Sequence, residues 1–262
     1  MKSWHIWASI FAVLVFGFLF SRDALAENVW RNFQSPLIAL RLDKNDAGLA
    51  YEIGNYYFGA GKYDLDMAEV AFKRVLEIDP KFALANYQLA RIYFIKGQTE
   101  LALEAINKEL EYHPENLRSL YVRGLIYGFS DKLAEAEVDF RHFIEWSPSE
   151  WAGWNDLAWV LAKEEKYTEA LKALQEAFEK LPEAPKNVWL QNSLGVAYLN
   201  LKNYKEAEEA FLRAKEIAKD MPLSEWYKAY PGNSRKSATK GFESFKAAVE
   251  ANLTKARYLG GN

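Results

Sequence analysis

Cysteine is missing from this chain, and histidine nearly so. Without cysteine in 262 residues there are no disulfides, no thiolate metal sites, no thiol nucleophile and no lipidation at sulfur. Oxidising and reducing compartments both tolerate that absence, so it does not locate the protein. The three histidines, His5, His113 and His142, are isolated from one another, and no HExxH, GxSxG or glycine-rich phosphate loop occurs. An excess of charge of one sign is lacking too. Lys and Arg total 33 against 36 Asp and Glu, a formal net charge of -3. That near balance leaves no electrostatic footprint for nucleic acid. Asp64-Leu65-Asp66 begins like a calcium loop but is not followed by the Asx-Gly and glutamate that would complete it. Glu206, Glu208 and Glu209 read as a solvated helix face. No catalytic residue, metal ligand or cofactor is expected, and the chain is read as non-enzymatic.

What is present is apolar surface. Half of the residues are hydrophobic and 15% are aromatic, more rings than core filling alone requires. Residues 1–26 open with Lys2, continue through an apolar run from Ile6 to Phe20, and end on Ala24-Leu25-Ala26, small residues spaced as at a signal-peptide cleavage site. The same run, counted from Trp4, is about the shortest that spans a bilayer. A cleaved signal and an uncleaved anchor both remain open, and both predict an extracytoplasmic protein: periplasmic, secreted or at the cell surface. Membrane contact is expected only through this segment, if it is retained.

Prolines set the rhythm of the rest. Pro80, Pro114, Pro148 and Pro182 follow one another at intervals of 34 residues. A fixed period of that size is the mark of a helix–turn–helix array. In Ala83 to Pro114 two short amphipathic helices are separated by Lys96-Gly97-Gln98, with Ala90 and Ala102 where the helices cross. One such unit cannot bury enough apolar surface to offset its own ordering, so the units must stack.

The motif residues resemble the tetratricopeptide repeat over roughly residues 47–220. The first repeat carries Ile53-Gly54, Tyr57, Ala68, Phe72, Val75 and Pro80; the second Leu89-Ala90, Tyr93, Ala102, Ile106 and Pro114; the third Gly124, Tyr127, Ala136, Phe140 and Pro148. The fourth has Trp154, Leu157-Ala158, Ala170, Leu174, Ala177 and Pro182, and the fifth Leu194-Gly195, Tyr198, Ala207, Phe211 and Ala214. Glu109, Arg123 and Phe143 depart from the pattern. The expected fold is an all-α, right-handed superhelical solenoid of about five repeats (47–80, 83–114, 117–148, 151–182 and 188–220). Residues 27–46 form a linker with a half-repeat helix starting near Pro36, capped by Ser35. Residues 221–262 add a capping segment that includes a helix from Ser237 to Tyr258.

Projecting each first helix away from its packed face points Tyr51, Asn55, Phe58, Tyr87, Arg91, Phe94, Arg118, Tyr121, Leu125, Asn155, Trp159, Trp189 and Asn192 toward a concave groove. Rings give apolar area at low entropic cost while Arg and Asn fix backbone groups, a combination suited to a peptide. Packing between neighbouring repeats would use the same rings. Family members that bind chaperone tails clamp a terminal carboxylate; here Asn55 and Arg118 fit that set, but Tyr51, Gln88 and Val122 do not, so no tail clamp is expected. The resemblance implies a scaffold that binds a protein or peptide partner. The alternative is a structural protein that joins copies of itself head to tail through its repeat edges.

Overall fold

The computed structural model describes residues 25–26, 29–31, 36–229 and 234–261. Most of the expected signal or anchor, the expected Ser35 cap and the sequence Pro231-Gly232-Asn233, which reads as a turn signal, lie outside them. Among the described residues there are thirteen α-helices with ranges given below, one 3-10 turn and no strand, and no helix is long and apolar enough to cross a membrane. The chain divides into two compact units, Met1–Ile92 and Tyr93–Asn262.

The first unit contains α1 (Pro36–Leu42), α2 (Ala47–Tyr57), α3 (Leu65–Ile78) and most of α4 (Ala85–Ile95). Two aspartates start its helices. Asp46 accepts from the Leu49 N–H at 2.9 Å and Asp64 from the Met67 N–H at 3.2 Å, satisfying donors that a helix N-terminus leaves open. The apparent start of a calcium loop is thus a helix cap. Helices α2 and α3 pack face to face, and Phe72 of α3 is fully buried against Gly54 of α2. A Cβ on Gly54 would lie 2.6 Å from that ring, so the close approach requires glycine.

The second unit runs through α5 (Thr99–Tyr112), α6 (Leu117–Phe129), α7 (Leu133–Trp146), α8 (Trp151–Lys163), α9 (Tyr167–Lys180), the 3-10 turn Ala184–Lys186, α10 (Val188–Asn200), α11 (Tyr204–Asp220), α12 (Leu223–Ala229) and α13 (Arg235–Gly260). Pairs α6–α7, α8–α9 and α10–α11 are joined through α7–α8 and α9–α10. The first helices α6, α8 and α10 also touch in succession, which brings their outer faces side by side. Small residues on first helices match large ones on second helices. Gly124 lies under Phe140 and Gly195 under Phe211, whereas the bulkier Ala158 shares its core cluster with the smaller Leu174. Each buried phenylalanine contributes about 1.5–3 kcal/mol.

The departures from the repeat pattern acquire reasons here. Arg123, standing where leucine is usual, donates through Nε and Nη2 to the two carboxylate oxygens of buried Asp139 on α7, both at 2.8 Å. Phe143 is accommodated by Gly153 of the next repeat, where a Cβ would come within 2.6 Å of the ring. The turn between first and second helices places one residue in the left-handed region: Gly97, then Asp131, Glu165 and Lys202, at φ of 72°, 62°, 60° and 62°. Only the first is a glycine, so the later turns carry backbone strain.

At the C-terminal end, α13 buries Phe242, Val249, Leu253 and Ala256 and packs on α11. The sequence marks the stretch before it only as a break in the period; the structure folds part of it into α12. Its buried Trp226 meets Phe242 at 5.1 Å and Phe245 at 5.2 Å.

Candidate functional site

In the first unit, the residues projected toward a groove form a ring-and-amide cluster. Tyr51 packs on Phe72 and Phe82 at centroid distances of 5.4 and 5.2 Å, so it serves the core. Phe58 is buried as well, under the Arg91 guanidinium at 4.6 Å; Tyr87 meets the same guanidinium at 5.4 Å. Arg91 Nη1 donates to Gln88 Oε1 at 2.8 Å, and Gln88 Nε2 donates to Asn55 Oδ1 at 2.8 Å. Burial pulls the Arg91 pKa below its ordinary value, opposed by Tyr87, Tyr51 and Tyr63. A guanidinium is weakly hydrated and stacks on rings, so this setting suits it.

The second unit gathers a polar chain across three first helices. Tyr121 of α6 donates its hydroxyl to Asp156 Oδ2, and Asn155 Nδ2 donates to Asp156 Oδ1 at 2.9 Å, both on α8. Ser193 of α10 donates to Asn155 Oδ1 at 2.8 Å. Tyr121 is braced from behind by Phe143 at 5.0 Å and Phe140 at 5.8 Å. Burial pushes Asp156 up to about 6, against the pull of the Tyr121 and Asn155 hydrogen bonds. The neighbouring Asn192 holds a buried Oδ1 with no hydrogen-bond partner among the described residues.

Beside this chain runs a wall of rings. Phe94 meets Phe129 at 5.6 Å and Phe129 meets Trp159 at 4.9 Å. Trp159 can lie against α6 because residue 128 is glycine; a Cβ there would be 2.6 Å from the indole. Lys163 holds the ring from its outer end, 5.4 Å from the centroid, while donating to the Gly128 carbonyl at 3.1 Å and pairing with Asp131 at 3.3 Å. Phe129 is 66% exposed, a large apolar surface left open to water.

Arg118 is exposed in the first turn of α6, and Leu125 packs on the core. Trp189 lies in a stack between Trp151 at 4.6 Å and Trp226 at 5.5 Å. Sequence projection missed Asp156, Ser193 and Phe129. Asp156 had one signal available: it is the only acid on α6, α8 or α10. Away from the first-helix faces, a cavity of about 640 Å³ opens between α7, α8 and α9, lined by Arg141, Ile144, Pro148, Trp154, Glu176 and Lys180.

These paired helices, small-to-large contacts and a 34-residue period define a class, and family comparison agrees with them. Tetratricopeptide repeat models match residues 71–104, 117–150 and 152–220, together more than half of the chain. The chain belongs to the tetratricopeptide repeat family. Among curated proteins it is similar to protein O-mannosyl-transferase TMTC3 of Homo sapiens, 27% identical over 148 residues, 54% of this chain and 16% of the relative. A TPR repeat-containing protein of Pseudomonas aeruginosa is 28% identical over 152 residues, 57% of this chain and 25% of the relative. The matched part thus spans a quarter or less of these relatives' length. Among solved structures, YrrB, described as a TPR protein with an unusual peptide-binding site, superposes with a TM-score of 0.57 at 22% identity, covering 71% of this chain and 93% of that one. MamA from Desulfovibrio magneticus RS-1 gives a TM-score of 0.53 at 22% identity, covering 61% and 94%. At such identities the likeness is one of fold.

Proposed function

We propose that the protein is a non-enzymatic scaffold, exported or membrane-anchored through its N-terminal segment, that holds a protein or peptide partner on its first-helix faces. Proteins of this repeat family bind protein or peptide partners. The observation that carries the reading is the open side of the second unit. There the exposed Phe129 ring, Trp159 and the Tyr121–Asp156–Asn155–Ser193 chain share the faces of α6, α8 and α10. Apolar area beside fixed polar groups is how peptide sites combine affinity with register. Arg91 and its rings offer a second such surface within the first unit. The mannosyl-transferase match covers 16% of that protein, so its activity is not carried over to this chain.

Two rings of equal exposure separate the faces. Phe129 on first helix α6 and Trp146 on second helix α7 are each 66% exposed. In cross-linking pull-downs with the full chain from its native extract, Phe129→Ser is expected to reduce partner capture about tenfold, and Trp146→Ser to leave it unchanged. Equal capture by both variants, with helicity retained, would remove the assignment to the first-helix face.

A further inference from the structure

Asp156 is a carboxylate provided with hydrogen bonds but no opposite charge. Its neighbours are a tyrosine hydroxyl and an asparagine amide, and among the described residues it enters no ion pair. The three first helices that surround it carry only three cations. Arg123 is committed to Asp139, Lys163 to Asp131 and the Gly128 carbonyl, and Arg118 points into solvent. Asp156 nevertheless remains partly accessible. Trp159 follows it by three residues on the same helix face, and the exposed Phe129 ring stands against Trp159. A half-buried charge without a counter-charge is unfavourable unless something supplies one. Here the carboxylate, the flanking apolar rings and the absence of a second acid on α6, α8 or α10 match one ligand feature: a protonated nitrogen on an apolar stem.

Building on the peptide-binding reading above, we infer that Asp156 is the subsite for a positively charged nitrogen of the bound peptide, either a lysine or arginine side chain or the N-terminal amine. The nitrogen donates to the carboxylate, whose orientation Tyr121 and Asn155 fix, while the stem lies along Trp159 and Phe129. Asn155 and Ser193 continue the polar track onto α10.

The test uses immobilised full chain in nonionic detergent and pools of amidated dodecapeptides randomised over uncharged residues. Four pools are N-acetylated, with Arg, Lys, Gln or Glu fixed at the centre; a fifth has central Gln and a free N-terminal amine. Retention read by mass spectrometry is expected to favour a cationic pool over acetylated Gln by about tenfold or more. The Arg and Lys pools mark a side chain as the source, and the free-amine pool marks the N-terminus. Asp156→Asn keeps the shape and removes the charge, so it should abolish the preference. Tyr121→Phe removes a hydrogen bond but not the charge, and should retain it. Loss of preference in both variants would reduce Asp156 to a structural tie and overturn the inference. Retention of all pools without regard to charge would overturn it while leaving the peptide-binding reading standing. Retention of none would sink both.

Discussion

Asp139 and Asp156 sit on consecutive helices, α7 and α8, and differ in what surrounds them. Asp139 receives a bidentate Arg123, two bonds of 2.8 Å, and lies almost wholly inside the helix pair. Asp156 receives a phenol and an amide, keeps some access to solvent, and has its pKa raised by burial to about 6. The first acid is matched within the fold and ties α6 to α7. The second is unmatched, and it faces the side on which the first helices leave rings open. Where a protein leaves a charge uncompensated, stability has been given up locally, and such places are where function concentrates. In the first unit the half-buried Arg91 guanidinium stacks on Phe58 and Tyr87 and donates to Gln88, a setting suited to a weakly hydrated, planar cation.

The largest expected effect falls on the matched acid. Asp139→Ala leaves the Arg123 guanidinium partly buried without its partner, and should cost about 3 kcal/mol, measured by urea unfolding. A cost below about 1 kcal/mol would erase the distinction between the two acids, because Asp139 would then contribute no more than an exposed pair. A smaller change sharpens the same contrast from a site remote from either carboxylate. Glu165 holds the left-handed turn position that Gly97 occupies in an earlier repeat. Glu165→Gly should stabilise by about 0.5–1 kcal/mol through relief of that strain, read by urea unfolding. No gain would mean that the left-handed turn at residue 165 carries no strain.

The period of the array was legible because each repeat repeats its punctuation: prolines 34 residues apart, with small residues at the helix crossings. The left-handed turns at Asp131 and Glu165 could have been found by counting 34 and 68 residues on from Gly97. Arg123 could only be seen as a departure, since its compensation stands on another helix, sixteen residues later. Asp156 escaped for a similar reason. Projection of α8 selects Asn155 and Trp159, and the next residue round the helix looks like a flank. Its significance comes from Tyr121, 35 residues earlier, and through Asn155 from Ser193, 38 residues after that asparagine. Tyr51 and Trp189 show what projection from one helix leaves out: rings that point outward from it also pack on Phe82, or on Trp151 and Trp226.

The claim that Asp156 is unmatched can be measured without knowing the partner. Its pKa in the folded chain, about 6, lies above the ordinary 3.8. Between those values the folded protein keeps a proton that the unfolded chain has released, so this group's contribution to stability falls as pH rises from about 4 to above 6. The full shift corresponds to about 3 kcal/mol. Unfolding wild type and Asp156→Asn side by side at pH 4, 5, 6 and 7.5 cancels the titration of all other groups. The variant is expected to gain on wild type as pH rises, by up to about 3 kcal/mol at pH 7.5, with the difference levelling off above pH 7. A difference that stays flat with pH, or a variant that loses ground as pH rises, would show that Asp156 is paired within the fold.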